Sequence, residues 1–274
     1  MRLLKQLGAV AVVAFAGQLG VALVEGNAVL TLLLGIATAV LALFAYRWVV
    51  RRTERRAPVE AEWGGAAGGV SRGVLIGAGL FAAVIVNIAF LGGYRVEGWG
   101  SVSGAVGLFG FMAAAAVTEE VIFRGVLFRI VEGWIGTWAA LSLTALVFGL
   151  SHLFNENASL WGAIAVAVAG GGMLVSAYAA TRTLWVPIGL HFGWNFAQAG
   201  VFGTQVSGNG ESEGLLEGVT SGSTLLSGGA FGPEASLYTV VAGVLVTTVF
   251  MVLARRRGHV VSRRRRPTPA VAAR

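Results

Sequence analysis

Apolar residues run through this chain in long blocks with few charges, separated by short stretches rich in Gly, Arg, Glu and Ser. A block of roughly 20 residues is what a helix rising about 1.5 Å per residue needs to cross a hydrocarbon layer about 30 Å thick. The blocks predict eight spanning helices, near residues 7–24, 27–46, 74–91, 105–128, 137–153, 161–180, 186–202 and 237–254. The first follows Arg2 and Lys5 and has the outline of a secretory leader. A second span comes almost at once and no convincing small-residue cleavage site precedes a soluble domain, so it is expected to be a retained helix. Trp48, Trp134, Trp138, Trp161 and Trp185 fall at the expected helix ends, where an indole buries its ring and keeps its N–H near headgroups. Residues 203–236, rich in Gly, Ser, Thr and Glu and without Lys or Arg, read as a flexible external loop with no catalytic role.

The expected fold is all-α: one polytopic transmembrane domain over residues 1–274, with about eight helices enclosing a cavity inside the membrane. Composition agrees. The chain is 56% hydrophobic and only 12% charged, with a mean hydropathy of +0.77, whereas a soluble domain is typically about a quarter charged. The absence of cysteine excludes a disulfide framework, a thiol nucleophile and a Cys-bound metal. All 13 acidic residues are Glu, which excludes aspartyl chemistry, and no G-x-S-G occurs to suggest a rhomboid-type serine protease.

The net charge of +7 marks topology rather than nucleic acid. With a cytoplasmic N-terminus, the eight spans sort Arg2, Lys5, Arg47, Arg51, Arg52, Arg55, Arg56, Arg72, Arg129, Arg182, Arg255, Arg256, Arg257, Arg263 to Arg266 and Arg274 to the inner side and leave only Arg95 outside. Glu25, Glu97, Glu156, Glu211, Glu213, Glu217 and Glu234 fall outside. The expectation is an integral cell-membrane protein with both termini cytoplasmic, whose basic tail over 255–274 contacts anionic lipid.

Against that background a few polar groups stand out. Glu119, Glu120 and Arg124 lie inside the fourth block, where an ionisable group costs at least ~2.5 kcal/mol on insertion scales and so should face protein or a wet cavity. Glu120 and Arg124, four apart, share a helix face and should form an ion pair that fixes helix packing. Glu119 points about 100° away and is the free carboxylate. His152 and His191 also lie in apolar blocks, while His259 belongs to the basic tail and is expected in solvent. Phe148 precedes His152 by four and is placed to wall its ring; Asn195 follows His191 by four and shares its face.

A carboxylate with a neighbouring imidazole can activate water as a general base, and an imidazole with an amide can hold the oxyanion of a tetrahedral intermediate, each donor contributing roughly 3–4 kcal/mol. The set is sufficient for hydrolysis. Glu119, His152 and His191 would also suit one divalent metal such as zinc with an open position for water, although no H-E-x-x-H motif is present. No organic cofactor is expected.

In order along the chain, E-E-x-x-x-R at Glu119, Glu120 and Arg124, F-x-x-x-H at Phe148 and His152, and H-x-x-x-N at His191 and Asn195 resemble the CPBP family, the CAAX proteases and bacteriocin-processing enzymes, also called ABI. That family includes the Ras-converting type CAAX-prenyl endopeptidase. The resemblance places a catalytic core at about 106–202. It implies an intramembrane metalloprotease-type endopeptidase in which Glu119 and His152 activate water, His191 and Asn195 form the oxyanion hole, and Glu120 and Arg124 hold the helix in register. It implies a peptide or protein substrate, in eukaryotic relatives a prenylated one. Two other readings of the same residues are a proton-coupled transporter with Glu119, His152 and His191 as a relay, and a non-catalytic immunity or membrane-partner protein of the same fold.

Overall fold

The computed structural model describes residues 1–24, 26–210 and 212–262. Glu25, Glu211, Arg263 to Arg266 and Arg274 lie outside the described residues. Among the described residues there are eight long helical segments, with short helical turns between some of them: α1 (Arg2–Ala22), α2 (Ala28–Glu54), α3 (Ala66–Phe90), α4 (Val102–Ile135), α5 (Thr137–Phe154), α6 (Leu160–Thr181), α7 (185–201) and α8 (Leu237–Arg256). Seven of the eight are long and apolar enough to cross a membrane. The exception, α7, is somewhat shorter but lies at the centre, packed on α3, α4 and α6 with nearly all of its side chains buried.

Local sequence sets the starts. Asn27, Ser101, Ser159 and Ser236 each accept a hydrogen bond from a backbone N–H in the first turn, capping α2, α4, α6 and α8. Gly136, at φ 83°, makes the break between α4 and α5. Four helices outrun the sequence expectation. The first starts at residue 2 rather than 7, the second ends at 54 rather than 46, the third starts at 66 rather than 74, and the fourth runs over 102–135 rather than 105–128. Hydropathy trims them because their ends carry Gly, Lys, Arg and Glu.

The α3–α7 contact shows how glycine is used. A Cβ on Gly73 or Gly77 would lie 2.3 Å from the Val186 oxygen or 2.1 Å from the Leu190 oxygen, and one on Gly189 would lie 2.2 Å from the Val70 oxygen. Glycines spaced by four let the two backbones touch, the usual small-residue device for helices in lipid. Gly171 serves α5 in the same way, its Cβ position 2.9 Å from Ala145 Cα.

Charged side chains gather at one end of the bundle. Arg129 binds Glu54 at 2.8 Å and Arg182 binds Glu132 at 2.5 Å, Arg56 bridges Glu54 and Glu60, and Tyr46 donates to Glu60. Trp185 is buried there, stacked on Trp63 with its N–H on the Glu62 carbonyl at 2.7 Å, so it is a packing residue and not an exposed membrane anchor. His259 is likewise drawn out of solvent, its Nδ1 3.0 Å from the Ala180 oxygen.

At the opposite end β1 (Tyr94–Trp99) pairs antiparallel with β2 (Leu216–Thr220), from Tyr94↔Thr220 to Trp99↔Leu216. This small sheet is the departure from an all-α chain. It ties the segment after α7 to the loop before α4. On the outside of the bundle, apolar side chains such as Val241, Leu245 and Val249 on α8 form exposed stripes at four-residue spacing, as a lipid-facing helix requires. The protein is a multi-pass membrane protein.

Candidate active site

The polar groups converge below the β1–β2 end of the bundle in a cavity with room for about 220 Å³ of water, lined in part by Glu119, Phe148, His152, His191 and Asn195. α4 carries Glu119 and Glu120 and then passes through a π-helical turn over Val121–Phe128; α7 does the same over Phe196–Val201, directly after Asn195. Such wide turns collect at functional sites because they change which side chains share a face.

Glu120 and Arg124 are both fully buried, and their ion pair is 2.8 Å long. The same carboxylate oxygen, Oε1, lies 2.9 Å from His191 Nδ1. Glu120 therefore joins two helices: it holds the α4 guanidinium and also orients the α7 imidazole, a contact across 71 residues that helical spacing alone does not reveal. The remaining guanidinium nitrogens Nε and Nη2 have no hydrogen-bond partner among the described residues. Arg124 lies over the Phe148 ring, 4.5 Å from its centroid, so the ring face takes up part of that charge.

Phe148 is the hub of the site. Besides receiving Arg124, its ring stands 4.9 Å from that of His152 and 6.1 Å from that of His191. His152 sits where α5 ends in a 3-10 turn over His152–Phe154, and its Nδ1 lies 2.8 Å from the Phe148 carbonyl oxygen. That bond puts the proton on Nδ1 and leaves Nε2 as the free nitrogen.

Glu119 reaches the cavity with its side chain about one-third exposed and its Oε2 3.8 Å from His191 Nε2. The closest imidazole contact of this carboxylate recorded in the structure is thus with His191; His152 lines the same cavity. The two ring nitrogens of His191 face different acids, Nδ1 toward Glu120 and Nε2 toward Glu119. The Asn195 carboxamide, one turn on, lines the cavity and makes no hydrogen bond within the described residues.

Upright, evenly spanning helices would place these groups at different depths. The 34 residues of α4 measure about 51 Å along the axis against roughly 30 Å of hydrocarbon, so α4 must lean or project. With that freedom the depths meet.

Among the described residues no group of three or more His, Cys, Asp or Glu is arranged to hold a metal ion. Glu119 and His191 approach each other, but a third donor does not join them as a three-ligand zinc site requires.

Residues 203–236 do more than the loop expectation allowed. Val206, Ser207, Asn209 and Glu234 line the cavity beside Glu119 and the two histidines. The segment is held down by Asn155 Nδ2 donating to the Ser207 carbonyl at 2.6 Å and by the Ser207 hydroxyl donating to Glu234 Oε2 at 2.6 Å. Its composition hid this. The one local signal was a solitary Glu two residues before the Ser236 cap of α8.

Residues 101–197 match the family model described as type II CAAX prenyl endopeptidase Rce1-like. The match covers about a third of the chain and contains every residue of the three motifs. It bears out the resemblance read from them. Comparison with curated proteins and with solved structures gave no match.

Proposed function

We propose that the protein is an intramembrane endopeptidase of the CAAX prenyl endopeptidase kind, hydrolysing a peptide bond in the cavity between α4, α5 and α7. The observation that carries this reading is the placement of a half-sheltered carboxylate, Glu119, 3.8 Å from an imidazole that a second, buried carboxylate holds in place at 2.9 Å.

In this mechanism Glu119 takes a proton from a water in the cavity, with the free Nε2 of His152 as the second acceptor that orients it. The hydroxide attacks the scissile carbonyl, and the oxyanion is received by His191 and by the Asn195 amide. For His191 this role has a defined proton requirement. Its Nδ1–H is spent on Glu120, so only the doubly protonated ring has an Nε2–H to donate, with Glu120 as the fixed counter-charge. Glu119 then delivers its proton to the leaving amine, and the chain is cut in two. Arg124, paired with Glu120 at 2.8 Å, holds it in register through the cycle.

Positive-inside sorting supports a cytoplasmic basic end of the bundle, with the cavity toward the outer half of the membrane. Substrates are peptides or proteins reaching the site beside or within the lipid, lipidated chains among them. Purified protein in lipid nanodiscs, incubated with a peptide library and read by mass spectrometry, tests the activity. Glu119→Gln should lose cleavage while keeping the wild-type unfolding transition, and His191→Ala and Asn195→Ala should lose cleavage as well. Wild-type protein that cuts no peptide while Glu119→Gln abolishes solute flux would overturn the reading in favour of a carrier.

A further inference from the structure

The mechanism leaves one carboxyl of the cavity unused. Glu234 precedes α8, is 93% shielded from solvent, and lines the same cavity as Glu119, His152, His191 and Asn195. Its Oε2 accepts the Ser207 hydroxyl at 2.6 Å, and no Lys or Arg pairs with it among the described residues. Burial pushes the Glu234 carboxyl above its usual range, and the Ser207 hydroxyl and the imidazoles of His152 and His191 only partly offset that. The other buried acids among the described residues are neutralised locally: Glu120 by Arg124, Glu132 by Arg182, and Glu54 and Glu60 by Arg56 and Arg129. Glu234 is not.

The rest of the lining sharpens the contrast. Among the described residues around the cavity the acids are Glu119 and Glu234, and none is Lys or Arg. Apolar groups such as Phe111, Met112, Met173 and Leu174 fill much of the remainder. An incoming cation supplies the opposite charge that Glu234 lacks, and at low dielectric that pairing offsets the cost of burying both groups.

Resting on the endopeptidase reading, we propose that Glu234 is a substrate-binding residue that takes the ammonium or guanidinium of a Lys or Arg side chain near the scissile bond. The favoured substrate is then an otherwise apolar segment carrying a basic residue near the cut.

The test uses full-length protein in phosphatidylcholine nanodiscs. The probes are fluorescent decapeptide amides of Ala and Leu with one central Lys, Arg, norleucine or Glu. Binding is read by anisotropy, with cleavage followed in the same samples by mass spectrometry. A charged hydrogen-bonded contact corresponds to about tenfold or more, so the Lys and Arg peptides should bind at least about tenfold more tightly than norleucine. The Glu peptide should bind more weakly than norleucine. Glu234→Gln should bring Lys and norleucine together, and Glu234→Asp should keep the preference; Glu234→Ala replaces the Gln variant if that one does not fold. A wild-type protein without the preference, binding of no peptide at all, a preference that survives Glu234→Gln, or tighter binding of the Glu peptide would overturn the proposal. Selective binding without any cleavage would overturn the endopeptidase reading and leave this site standing.

Discussion

The Glu120–Arg124 pair allows stability and orientation of His191 to be separated. Both side chains are fully buried, so Arg124→Leu alone leaves a carboxylate in the core with only the His191 Nδ1–H beside it. Breaking such a pair from one side costs about 3–5 kcal/mol, and losing the guanidinium over Phe148, 4.5 Å from the ring centroid, costs about 1 kcal/mol more. In Glu120→Leu/Arg124→Leu both charges are gone, and apolar replacement of a buried pair is often neutral or stabilising. The double variant should therefore unfold within about 2 kcal/mol of wild type and be more stable than the single one. It should still be inactive, because His191 has lost the acceptor that fixes its ring, and a misplacement of about 1 Å is enough for a 10²-fold loss. Thermal and denaturant unfolding in detergent, run beside peptide cleavage, reads both quantities. A double variant no more stable than Arg124→Leu refutes the energetic argument; one that is stable and fully active refutes the role given to Glu120.

Four further outcomes follow from the geometry. Glu119→Gln should reduce cleavage to background while unfolding stays within about 0.5 kcal/mol of wild type, since this side chain is one-third exposed and makes no closer ion pair among the described residues than His191 at 3.8 Å. Gly77→Ala puts a methyl 2.1 Å from the Leu190 oxygen and should cost about 1–3 kcal/mol and slow cleavage by moving His191, whereas Gly79→Ala, with nothing within 4 Å, should be silent in both assays. Burial would raise the Glu60 carboxyl, but hydrogen bonds from Arg56 and Tyr46 outweigh it and hold Glu60 below its usual 4.5; its stabilisation is present above that value and is lost as pH falls through the lower folded one, so unfolding followed from pH 7 down to about pH 3 should show an acid-side loss that Glu60→Gln lacks. Chelator should leave cleavage unchanged, because the described residues offer no set of three metal donors; activity lost to chelator and restored by zinc would refute this.

Much of the architecture was legible because hydropathy reports the length of an apolar run, and length decides what can cross lipid. It could not distinguish a helix facing lipid from one facing protein. α7 is nearly as apolar as its neighbours yet sits in the middle of the bundle, and the cue to that was the glycine spacing at Gly189 and Gly193 matched by Gly69, Gly73 and Gly77. Boundaries drifted where Arg129 and Glu132 continue a helix that a hydropathy window ends, since their charges are cancelled by Glu54 and Arg182 from elsewhere in the chain.

Within the site, spacing of three or four residues found the contacts made inside one helix: Glu120 with Arg124 and Phe148 with His152. Contacts between helices were beyond it. The bond from His191 to Glu120 changes Glu120 from a register-holding group into the partner that decides which His191 nitrogen is free, and it limits oxyanion binding to the doubly protonated ring. The same limit explains why Glu234 was overlooked. A segment read as loop by its Gly and Ser content has no periodicity from which to infer a facing direction, and the bonds that turn Glu234 inward run to Ser207, 27 residues earlier, and from there to Asn155. A polar residue in a membrane protein thus has to be judged by whether its charge is balanced nearby. By that criterion Glu54, Glu60, Glu120 and Glu132 are structural or orienting groups with partners of their own. Glu119 and Glu234 are the two cavity acids without a Lys or Arg bound to them among the described residues, and they are where water and substrate should meet the protein.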